Sequence, residues 1–593
     1  MSVKLSDYVI DFLRKEGIGC VFEVCGGSIT HLLDSLYGRK DIRAISMHHE
    51  QAAAFAAEGY ARAGENFGVA MATSGPGATN LITGIGSAFF DSIPCLFLTG
   101  QVNTYEFKFD RPVRQVGFQE TDIVNIVKPI VKEAHLVTEP DKIRYFLERS
   151  VHVARSGRPG PVLLDIPMNI QRAMINPKKL KPFSPKPGPV LSLDKTSIQK
   201  IVKAVSSSER PVILVGGGIR LAKAEGELLK FLEQTGMPVV CSLMGLDACP
   251  HEHPSFVGMI GTYGNRYANL TVANADMILA LGTRFDTRQT GTRPYTFARG
   301  ARIIHVDIDP HEIGNKVKPY ASVCADIKSF LDILNKDIKH YDRSGISDWK
   351  KTIRLYKTKY PMPVRSSKKH IDPNVLLSRL SDLLPEDAII CVDVGQHQMW
   401  SGQSLKIKRH QRFITEGGMA SMGSSLSMAI GASFAKPEKD VIVISGDGGF
   451  QVNIQELQTI RHHNLPIKIV LLNNNGYGMI RQFQKQYFGG RFQSTVIGYS
   501  QPNFGSVVAS YKLPVIKVSR YNELDKAFKR FLRERGPIFL EIKIGEDGLV
   551  LPKLSVNRPV EDQDPLLPLD ELKSNMLVDL LPETIDDKIR KKT

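Results

Sequence analysis

Short apolar runs alternate with amphipathic helical patterns through three long stretches of the chain. The first stretch contains GCVFEV, GVAMAT, PCLFLT and PVLLDI, the second PVILV, MPVVCSL, DMILALG and ARIIHVDID, and the third AIICVD, DVIVIS, IKIVLL and PIFLEIKIG. Strands that alternate with helices form parallel sheets covered by helices on both faces. The sequence therefore predicts an α/β fold with three consecutive doubly wound parallel-sheet domains.

Two basic, Pro-containing stretches, residues 172–186 and 350–370, lie between the patterned segments, and we expect both to be solvated linkers. The 593 residues exceed what one hydrophobic core usually holds. The predicted domains span residues 1–175, 190–340 and 371–550. A C-terminal arm and tail over residues 551–593 follows them.

The formal net charge of +16 would permit nucleic-acid binding, but no zinc-finger spacing, RNA-recognition signature or base-reading helix accompanies it. No apolar run reaches the roughly 18 residues of a membrane span, and no signal peptide is visible. We therefore expect a cytoplasmic protein that binds neither nucleic acid nor membrane. Seven scattered cysteines in apolar runs indicate reduced thiols rather than bridges or a thiolate metal site.

The third stretch predicts a metal site that also holds phosphate. A strand ends at Gly446-Asp447-Gly448-Gly449, a helix follows, and the next strand ends at Asn473-Asn474. Because parallel strands end at the same edge of a sheet, Asp447 and Asn474 should face each other. Carboxylate and amide oxygens suit magnesium, and the glycines let the backbone approach phosphates.

The motif GDG, followed by 24 residues and then NN, resembles the signature of thiamine diphosphate enzymes. By that resemblance Asp447, Asn474 and the carbonyl of Gly476 hold Mg²⁺. Gln396 and His397 contact the diphosphate, and Met422 wedges the cofactor into a bent form. The resemblance also places these residues at the cofactor: Gly395, Ala420, Gly446, Gly448, Gly449, Tyr477, Gly478 and Met479.

The string MHHEQAAAFAAEGYARA, followed by TSGPGATN, resembles the pyrimidine-binding domain of the same family. The resemblance makes Glu50 the carboxylate that converts the aminopyrimidine of thiamine diphosphate to its imino form, with Pro76 and Asn80 lining that side. A lone Glu at a helix start is otherwise only a favourable partner of the helix dipole. In this family the two halves of the site come from different subunits, so a homodimer is the smallest active unit.

Over nearly the whole chain the resemblance narrows to the large catalytic subunit of acetolactate synthases. It rests on strings such as DSIPCLFLTGQV, FQETDIV, VGQHQMW and GGMASMGSSLSMAIGA. It implies decarboxylation of pyruvate and carboligation of the two-carbon unit to an acceptor, with Gln119 near the reacting carbons, and it places the chain in branched-chain amino acid biosynthesis. A flavin-redox pyruvate oxidase and a simple 2-oxo acid decarboxylase remain alternatives, as does a binding protein.

The middle stretch carries Gly216-Gly217-Gly218 after a strand, which alone is weak support for dinucleotide binding. The strings LGTRFDTRQTG and HVDIDPHEIG resemble the elements that hold FAD in acetolactate synthases. The matching positions are Arg158, Tyr263, Arg284, Asp307 and Asp326. Related decarboxylases keep this domain without flavin, so FAD is an expectation from the resemblance.

Positions around the substrate depart from the acetolactate synthase pattern. Met168 replaces a Lys, Thr287 replaces an Asp, and Phe483 replaces the Trp that favours 2-oxobutyrate as acceptor. Gly27 and Arg288 are kept, and Arg288 can pair with a carboxylate. The departures are either neutral drift or the mark of another acceptor, such as a keto-sugar. The assembly is expected to be a homodimer or homotetramer, and a regulatory subunit is not visible in the sequence.

Overall fold

The computed structural model describes residues 2–64, 66–185, 195–338, 341–362 and 370–585. The chain divides into two compact units. One contains residues 1–188, 388–397 and 414–546, and the other residues 189–387, 398–413 and 547–593. The expected boundaries at 190 and 340 and the end of the C-terminal tail lie outside the described residues. None of the described helices is both long and apolar enough to cross a membrane.

The first six-stranded sheet lies in the first unit and has the strand order β3-β2-β4-β5-β7-β6, with every pairing parallel. A short antiparallel pair, β1 and β8, lies beside it. The strands are β1 Val3–Lys4, β2 Cys20–Val24, β3 Arg43–Ser46, β4 Gly68–Ala72, β5 Cys95–Gln101, β6 Glu133–Leu136, β7 Val162–Pro167 and β8 Met174–Ile175. The helices are α1 Leu5–Lys15, α2 Thr30–Leu36, α3 Glu50–Gly64, α4 Pro76–Asn80, α5 Ile82–Phe90, α6 Ile123–Val127, α7 Ile143–Arg155 and α8 Met168–Gln171.

The second sheet belongs to the second unit and has the order β11-β10-β9-β12-β13-β14, again parallel throughout. Its strands are β9 Pro211–Val215, β10 Val239–Cys241, β11 Phe256–Met259, β12 Met277–Leu281, β13 Arg302–Asp307 and β14 Ala321–Cys324. The helices are α9 Lys195–Ser206, α10 Gly218–Leu221, α11 Glu225–Thr235, α12 Arg266–Ala273, α13 Thr287–Thr290, α14 Ile327–Asp337 and α15 Ser347–Lys359.

The third sheet has the order β16-β15-β17-β18-β20-β19, and the five strands from β15 to β19 in that order pair in parallel. Its strands are β15 Ile389–Val392, β16 Arg412–Ile414, β17 Val441–Gly446, β18 Ile467–Asn473, β19 Val515–Val518 and β20 Ile538–Lys543. The helices are α16 Pro373–Leu383, α17 Gln396–Ser404, α18 Ser424–Ala435, α19 Asp447–Val452, α20 Leu457–His462, α21 Gly478–Tyr487, α22 Phe504–Ser510 and α23 Leu524–Arg533.

The C-terminal arm packs on the core of the second unit, where Leu554 and Leu572 are buried in the same apolar cluster as Val212. Its elements are the antiparallel strands β21 Lys553–Leu554 and β22 Gln563–Asp564 and the helices α24 Leu569–Asn575 and α25 Pro582–Ile585. Arg266 Nη2 fixes the arm by donating to the carbonyl oxygen of Pro565 at 2.6 Å.

The three parallel sheets confirm the predicted fold class. Their strand orders differ, and the difference indicates where ligands should bind. Numbered within each domain, the first and third sheets share the order 2-1-3-4-6-5, whereas the middle sheet has 3-2-1-4-5-6. The latter is the order of dinucleotide-binding sheets, whose ligand lies where the strand order reverses. The candidate sites should therefore lie after β15, β17 and β18 and after β9 and β12.

Two glycines let helices α3 and α18 of the first unit cross with their backbones in contact. A Cβ at Gly59 would lie 2.1 Å from the Met428 carbonyl oxygen, and one at Gly431 would lie 1.8 Å from that of Ala56. No side chain fits at such distances. The Ala-rich composition of α3 thus serves close packing, and it joins the first and third sheets in one core.

The expectation of a solvated linker over residues 350–370 is wrong for its first half. Residues 347–359 form α15, and Trp349, Ile353 and Tyr356 are buried. Their spacing of four and three residues places the three side chains on one helix face, while the basic residues occupy the other. The helical period was hidden by the high density of Lys and Arg. Residues 363–369 lie outside the described part.

Candidate active site

The motif residues of the third domain meet at the carboxyl edge of its sheet. β17 ends at Gly446, which pairs with Leu472 of β18, so Asp447 and Asn474 follow neighbouring strand ends. Asp447 is buried and begins α19, where the helix dipole favours its negative charge. The predicted βαβ arrangement therefore brings the two side chains together, as expected from their spacing.

Three oxygen atoms converge at this edge. With its amide nitrogen directed at Gln396, Asn474 places Oδ1 3.0 Å from Asp447 Oδ1 and 2.8 Å from the carbonyl oxygen of Gly476. The reversed amide would donate to both of these oxygens, but it would set its own oxygen against Gln396 Oε1. Asn474 Nδ2 meanwhile donates to Gln396 Oε1 at 3.0 Å, which keeps the amide oxygen turned toward the other two. Oxygens facing only one another repel unless a cation lies between them. Adjacent ligands of octahedral magnesium, with bonds of about 2.05 Å, are about 2.9 Å apart, so this donor set fits Mg²⁺.

A residue that the sequence did not indicate completes the surroundings of Asp447. Tyr499 donates its phenolic hydrogen to Asp447 Oδ2 at 2.6 Å, and the Gly476 amide donates to the same oxygen at 2.9 Å. Burial raises the pKa of Asp447, and these two donors oppose the rise. Tyr499 lies in an irregular segment, so no periodic pattern could have pointed to it. Asp447 thus has one oxygen fixed by protein donors and one directed at Asn474.

Gln396 and His397, after β15, lie against the same motif. A Cβ at Gly395 would lie 2.5 Å from the His397 ring, and one at Gly446 would lie 2.8 Å from its Nδ1. Glycine at both positions is therefore required by the buried imidazole. Burial lowers the pKa of His397 to about 4, and its Nε2 has no hydrogen-bond partner among the described residues. A buried, unpartnered ring nitrogen beside a cation site fits a phosphate oxygen.

The remaining glycines of the motif are also fixed by close neighbours. A Cβ at Gly448 would lie 2.4 Å from the Tyr477 ring and 3.5 Å from Met422 Cε, and one at Gly478 would lie 2.0 Å from Gln396 Oε1. The structure therefore brings Met422 to the diphosphate motif, although 25 positions separate it from Asp447 in the sequence. Three further predicted residues lie on the flanking segments: Ala420, Gly449 and Met479.

Glu50 begins α3, as expected, and its surroundings include the other predicted residues of that domain. Asn80 Nδ2 donates to Glu50 Oε2 at 2.9 Å, and a Cβ at Gly77 would lie 3.4 Å from Glu50 Oε1. The turn of Gly75 and Pro76 lies against Gln119, because a Cβ at Gly75 would be 3.2 Å from that of Gln119. Three dispersed segments thus supply Glu50, Pro76, Asn80 and Gln119 at one edge of the first sheet.

Gln119 has the left-handed backbone conformation, with φ of 64°, which is strained for a residue with a side chain. The segment that carries it is held by Gln101, whose Nε2 donates to the Thr121 carbonyl oxygen at 2.7 Å and to Asp165 Oδ2 at 2.8 Å. Burial raises the pKa of Asp165 to about 7. Such strain persists only where the surroundings impose it, which is typical of functional positions.

In the second unit, the predicted FAD residues follow neighbouring strand ends. A Cβ at Gly216, after β9, would lie 2.0 Å from the carbonyl oxygen of Gly282, after β12, so the two turns touch where the strand order reverses. The other predicted positions of this unit lie at or just after the ends of β9, β11, β12, β13 and β14: Gly217, Gly218, Tyr263, Arg284, Asp307 and Asp326. Arg158 belongs to the first unit, where its Nε donates to Ser92 Oγ at 2.7 Å.

Of the predicted substrate residues, Gly27 and Met168 follow β2 and β7 of the first sheet. Phe483 lies on α21 with 44% of its side chain exposed, beside Tyr487 with ring centroids 4.6 Å apart. Arg288 is exposed on α13 of the second unit, where Asp286 caps its backbone amide. The side chain of Asn169, next to Met168, accepts from the Thr104 amide at 3.0 Å and donates to the Thr104 hydroxyl at 2.9 Å.

Comparisons with known proteins agree with this architecture. Models described as "Thiamine pyrophosphate enzyme" match the N-terminal TPP binding domain at residues 3–126, the central domain at residues 198–334 and the C-terminal TPP binding domain at residues 393–542.

Curated relatives are similar over most of the chain. Acetolactate synthase 2, chloroplastic, of Nicotiana tabacum is 38% identical over 567 residues, which cover 93% of this chain and 83% of that protein. Acetolactate synthase 1, chloroplastic, of Zea mays is 38% identical, with 93% and 87% covered. Acetolactate synthase, chloroplastic, of Arabidopsis thaliana is 36% identical, with 93% and 83% covered.

Proposed function

The chain belongs to the thiamine pyrophosphate enzymes and, among them, to the acetolactate synthases, and we propose on this basis how its residues divide the reaction. It is a transferase that decarboxylates pyruvate and joins the two-carbon unit to an acceptor. Thiamine diphosphate, when bound, would supply the nucleophilic carbon and the electron sink that this decarboxylation requires. No observation on the described residues favours an oxidase, a simple decarboxylase or transfer to a keto-sugar.

We assign the metal to Mg²⁺, held by Asp447, Asn474 and the Gly476 carbonyl. The observation that carries the proposal is the convergence of these three oxygens at 2.8 and 3.0 Å. His397 and Gln396 would bind the diphosphate, which the glycines after β15 and β17 allow to approach the backbone. Tyr499 would hold the Asp447 carboxylate in the orientation that the ion requires.

We assign Glu50 as the group that holds and returns the proton at the aminopyrimidine ring nitrogen. Its carboxylate is oriented by Asn80, so it can face one nitrogen atom of a bound ring. Gln119, held in its strained turn, would hydrogen-bond to the oxygen atoms attached to the reacting carbons of the substrate. The family relationship supports a homodimer whose sites each combine Glu50 of one chain with Asp447 of the other, and a homotetramer or a regulatory subunit stays a prediction.

We infer that the middle domain binds FAD. One support for FAD binding is the strand order 3-2-1-4-5-6 of the middle sheet. The other is the contact between the turns of Gly216 and Gly282, because it leaves only backbone atoms at the point where the strand order reverses. Arg284, Asp307 and Asp326 follow adjacent strands on the same edge and would contact the nucleotide. Since carboligation is not a redox reaction, the flavin would be structural.

The acceptor that we infer is a second pyruvate, which makes acetolactate, an intermediate of branched-chain amino acid biosynthesis. Arg288 would pair with a substrate carboxylate, and Gly27, Met168 and Phe483 would shape the acceptor side. We keep the cytoplasm as the predicted location of this chain, whereas the names of the plant relatives include the word chloroplastic.

One assay on purified protein tests this function. The protein is supplied with pyruvate, Mg²⁺ and thiamine diphosphate without oxygen, while the flavin absorbance and the products are recorded. We expect acetolactate to form with little flavin bleaching. No acetolactate should form when EDTA removes the metal. Fast bleaching would show an oxidase, and free acetaldehyde would show a decarboxylase. A protein that turns over nothing would be a binding protein.

A further inference from the structure

Four ionisable side chains that are not themselves predicted site residues are buried together in the first unit. Glu58 and Arg62 lie on α3, Asp91 follows α5 and Glu416 follows β16; we name them the Glu58 cluster. Arg62 Nη2 lies 2.7 Å from Glu58 Oε1 and 2.6 Å from Asp91 Oδ2. Ser87 donates to the second oxygen of Glu58 at 2.7 Å. Buried charges are normally retained only when they are paired, and here Arg62 forms ion pairs with two carboxyl groups, those of Glu58 and Asp91.

The cluster binds the backbone of the segment that follows β16. Arg62 Nη1 donates to the Thr415 carbonyl oxygen at 2.8 Å. Asp91 accepts from the amides of Gly417 at 3.1 Å and Gly418 at 2.7 Å. A Cβ at Gly418 would lie 2.5 Å from that of Phe90, so only glycine permits this approach. Charge-assisted bonds of this kind are stronger than those between neutral groups.

Glu416 continues the attachment within the same segment. Its Oε2 accepts from the Ser421 amide at 2.6 Å and so closes a loop over residues 416–421, which contains Ala420 with a φ of 60°. Met422 follows directly, and Gly423 begins the turn into α18. The left-handed residue, the loop and Met422 are therefore fixed by side chains that themselves belong to no predicted cofactor contact.

Burial and the neighbouring Glu58 raise the pKa of Glu416 to about 8, and Asp91 adds to the rise. Burial also raises the pKa of Glu58. Arg62 is the cation that faces both groups, and the nearby thiols with interactions to the cluster are Cys95 and Cys391. Ionisation of Glu416 would place another negative charge in a buried group of carboxylates, which is why burial and Glu58 oppose it.

We propose that the Glu58 cluster is a positioning device that holds residues 415–422, and with them Ala420 and Met422, in the geometry that receives thiamine diphosphate. The inference rests on the proposed function, which assigns Ala420 and Met422 to the cofactor. It adds that α3, which begins with Glu50, also determines through Arg62 where Met422 lies in the same chain. The residues of the cluster act on the reaction only through this segment.

The test uses the full-length protein and two isosteric variants. Asp91→Asn removes the negative charge that binds two amides, and we expect the dissociation constant for thiamine diphosphate in Mg²⁺ to rise about tenfold or more, as for other supporting residues. Glu416→Gln keeps an acceptor for the Ser421 amide but cannot ionise. Above pH 8 we expect the wild type to lose affinity for the cofactor and Glu416→Gln to retain it. In a plot of cofactor affinity against pH, the alkaline decline of the variant should therefore lie at higher pH than that of the wild type.

Glu561→Gln is the matched control, because Glu561 is equally buried and paired with Arg299 in the other unit. It should change thermal stability without moving the cofactor affinity or the pH profile. If Asp91→Asn and Glu416→Gln bind cofactor like the wild type at pH 7 and pH 9, the inference is wrong while the proposed function stands. If the wild type itself binds no thiamine diphosphate, the proposed function fails first.

Discussion

Tyr499 donates to the outer oxygen of Asp447 at 2.6 Å, while the inner oxygen of that carboxylate lies 3.0 Å from Asn474 Oδ1. The neutral hydroxyl of Tyr499 therefore orients the carboxylate by bonding to Oδ2, the oxygen that does not face Asn474. Groups that orient a metal ligand in this way contribute to affinity without touching the ion, and their loss typically lowers it 10- to 100-fold, as an order of magnitude.

Tyr499→Phe removes this donor and leaves the ring in place. We expect the concentration of Mg²⁺ that half-restores activity to metal-free protein to rise about tenfold. A magnesium titration of the activity measures it, and Tyr37→Phe, at a tyrosine that is 90% exposed, is the control. An unchanged titration in Tyr499→Phe would remove Tyr499 from the metal site.

Asp447→Ala deletes the charged ligand of the proposed metal. We expect the variant to lose thiamine diphosphate during dialysis against Mg²⁺ buffer, because the cation that bridges protein and diphosphate is no longer held. The remaining cofactor is measured after denaturation, with circular dichroism to show that the fold persists. Normal retention of the cofactor would disprove the assignment of Asp447.

The edge strands show what the sequence could not predict. Each domain's four inner strands are apolar runs that were predicted, whereas the strands missed are the two at the edges of each sheet: β3 and β6, β11 and β14, β16 and β19. Five of these six contain partly or fully exposed positions, as in β6, where no residue is buried. An edge strand has one neighbour and little burial, so its composition differs little from that of a loop.

The residues of the candidate site also fall into those that the sequence predicts and those that it does not. Asp447 and Asn474 were predictable because they terminate buried parallel strands, and strand ends meet at one edge. Tyr499 and the Glu58 cluster were not, since the partners of Tyr499, Arg62 and Asp91 on other segments lie 29 to 353 positions away in the chain and no period links them. Residues that contact the motif are predicted by local patterns, but residues that support it are determined by tertiary packing.

Glu50→Gln keeps an oxygen that accepts from Asn80 but removes the ionisable group. We expect turnover with pyruvate to fall on the order of a hundredfold or more, the usual contribution of a general acid–base group. Binding of thiamine diphosphate should be retained, which separates catalysis from cofactor affinity. The control is Glu139→Gln, at an exposed glutamate of the same domain. Near-normal turnover in Glu50→Gln would refute the role of Glu50.

We expect the imidazole of His397 to take up a proton when the cofactor binds. Burial lowers its pKa to about 4, so the imidazole is neutral at pH 6.5 in the cofactor-free protein. A diphosphate placed beside the ring favours the charged form and raises that pKa, so binding should draw a proton from the buffer. Calorimetric titration in two buffers of different ionisation enthalpy measures the proton, and His397→Gln should abolish it. An equal uptake in the variant would assign the proton elsewhere.

The last prediction concerns the choice of acceptor at Phe483. The side chain is 44% exposed on α21, and its ring lies against Tyr487 at 4.6 Å between centroids. By family resemblance a Trp at this position favours 2-oxobutyrate, so Phe483→Trp should raise the ratio of acetohydroxybutyrate to acetolactate about tenfold, within the range that one added apolar group in a pocket supports.

The assay lets pyruvate, 2-oxobutyrate and a 4-keto-deoxysugar compete in one reaction, and the products are separated and quantified. Phe488→Trp is the control, because Phe488 follows the same helix and is 46% exposed. A change in ratio confined to Phe483→Trp places Phe483 at the acceptor. The same ratio in both variants and the wild type would show that Phe483 does not contact the acceptor. Transfer to the sugar by the wild type would instead mean that the departures at Met168, Thr287 and Phe483 altered the acceptor class, whereas exclusive acetolactate or acetohydroxybutyrate would leave them as neutral drift.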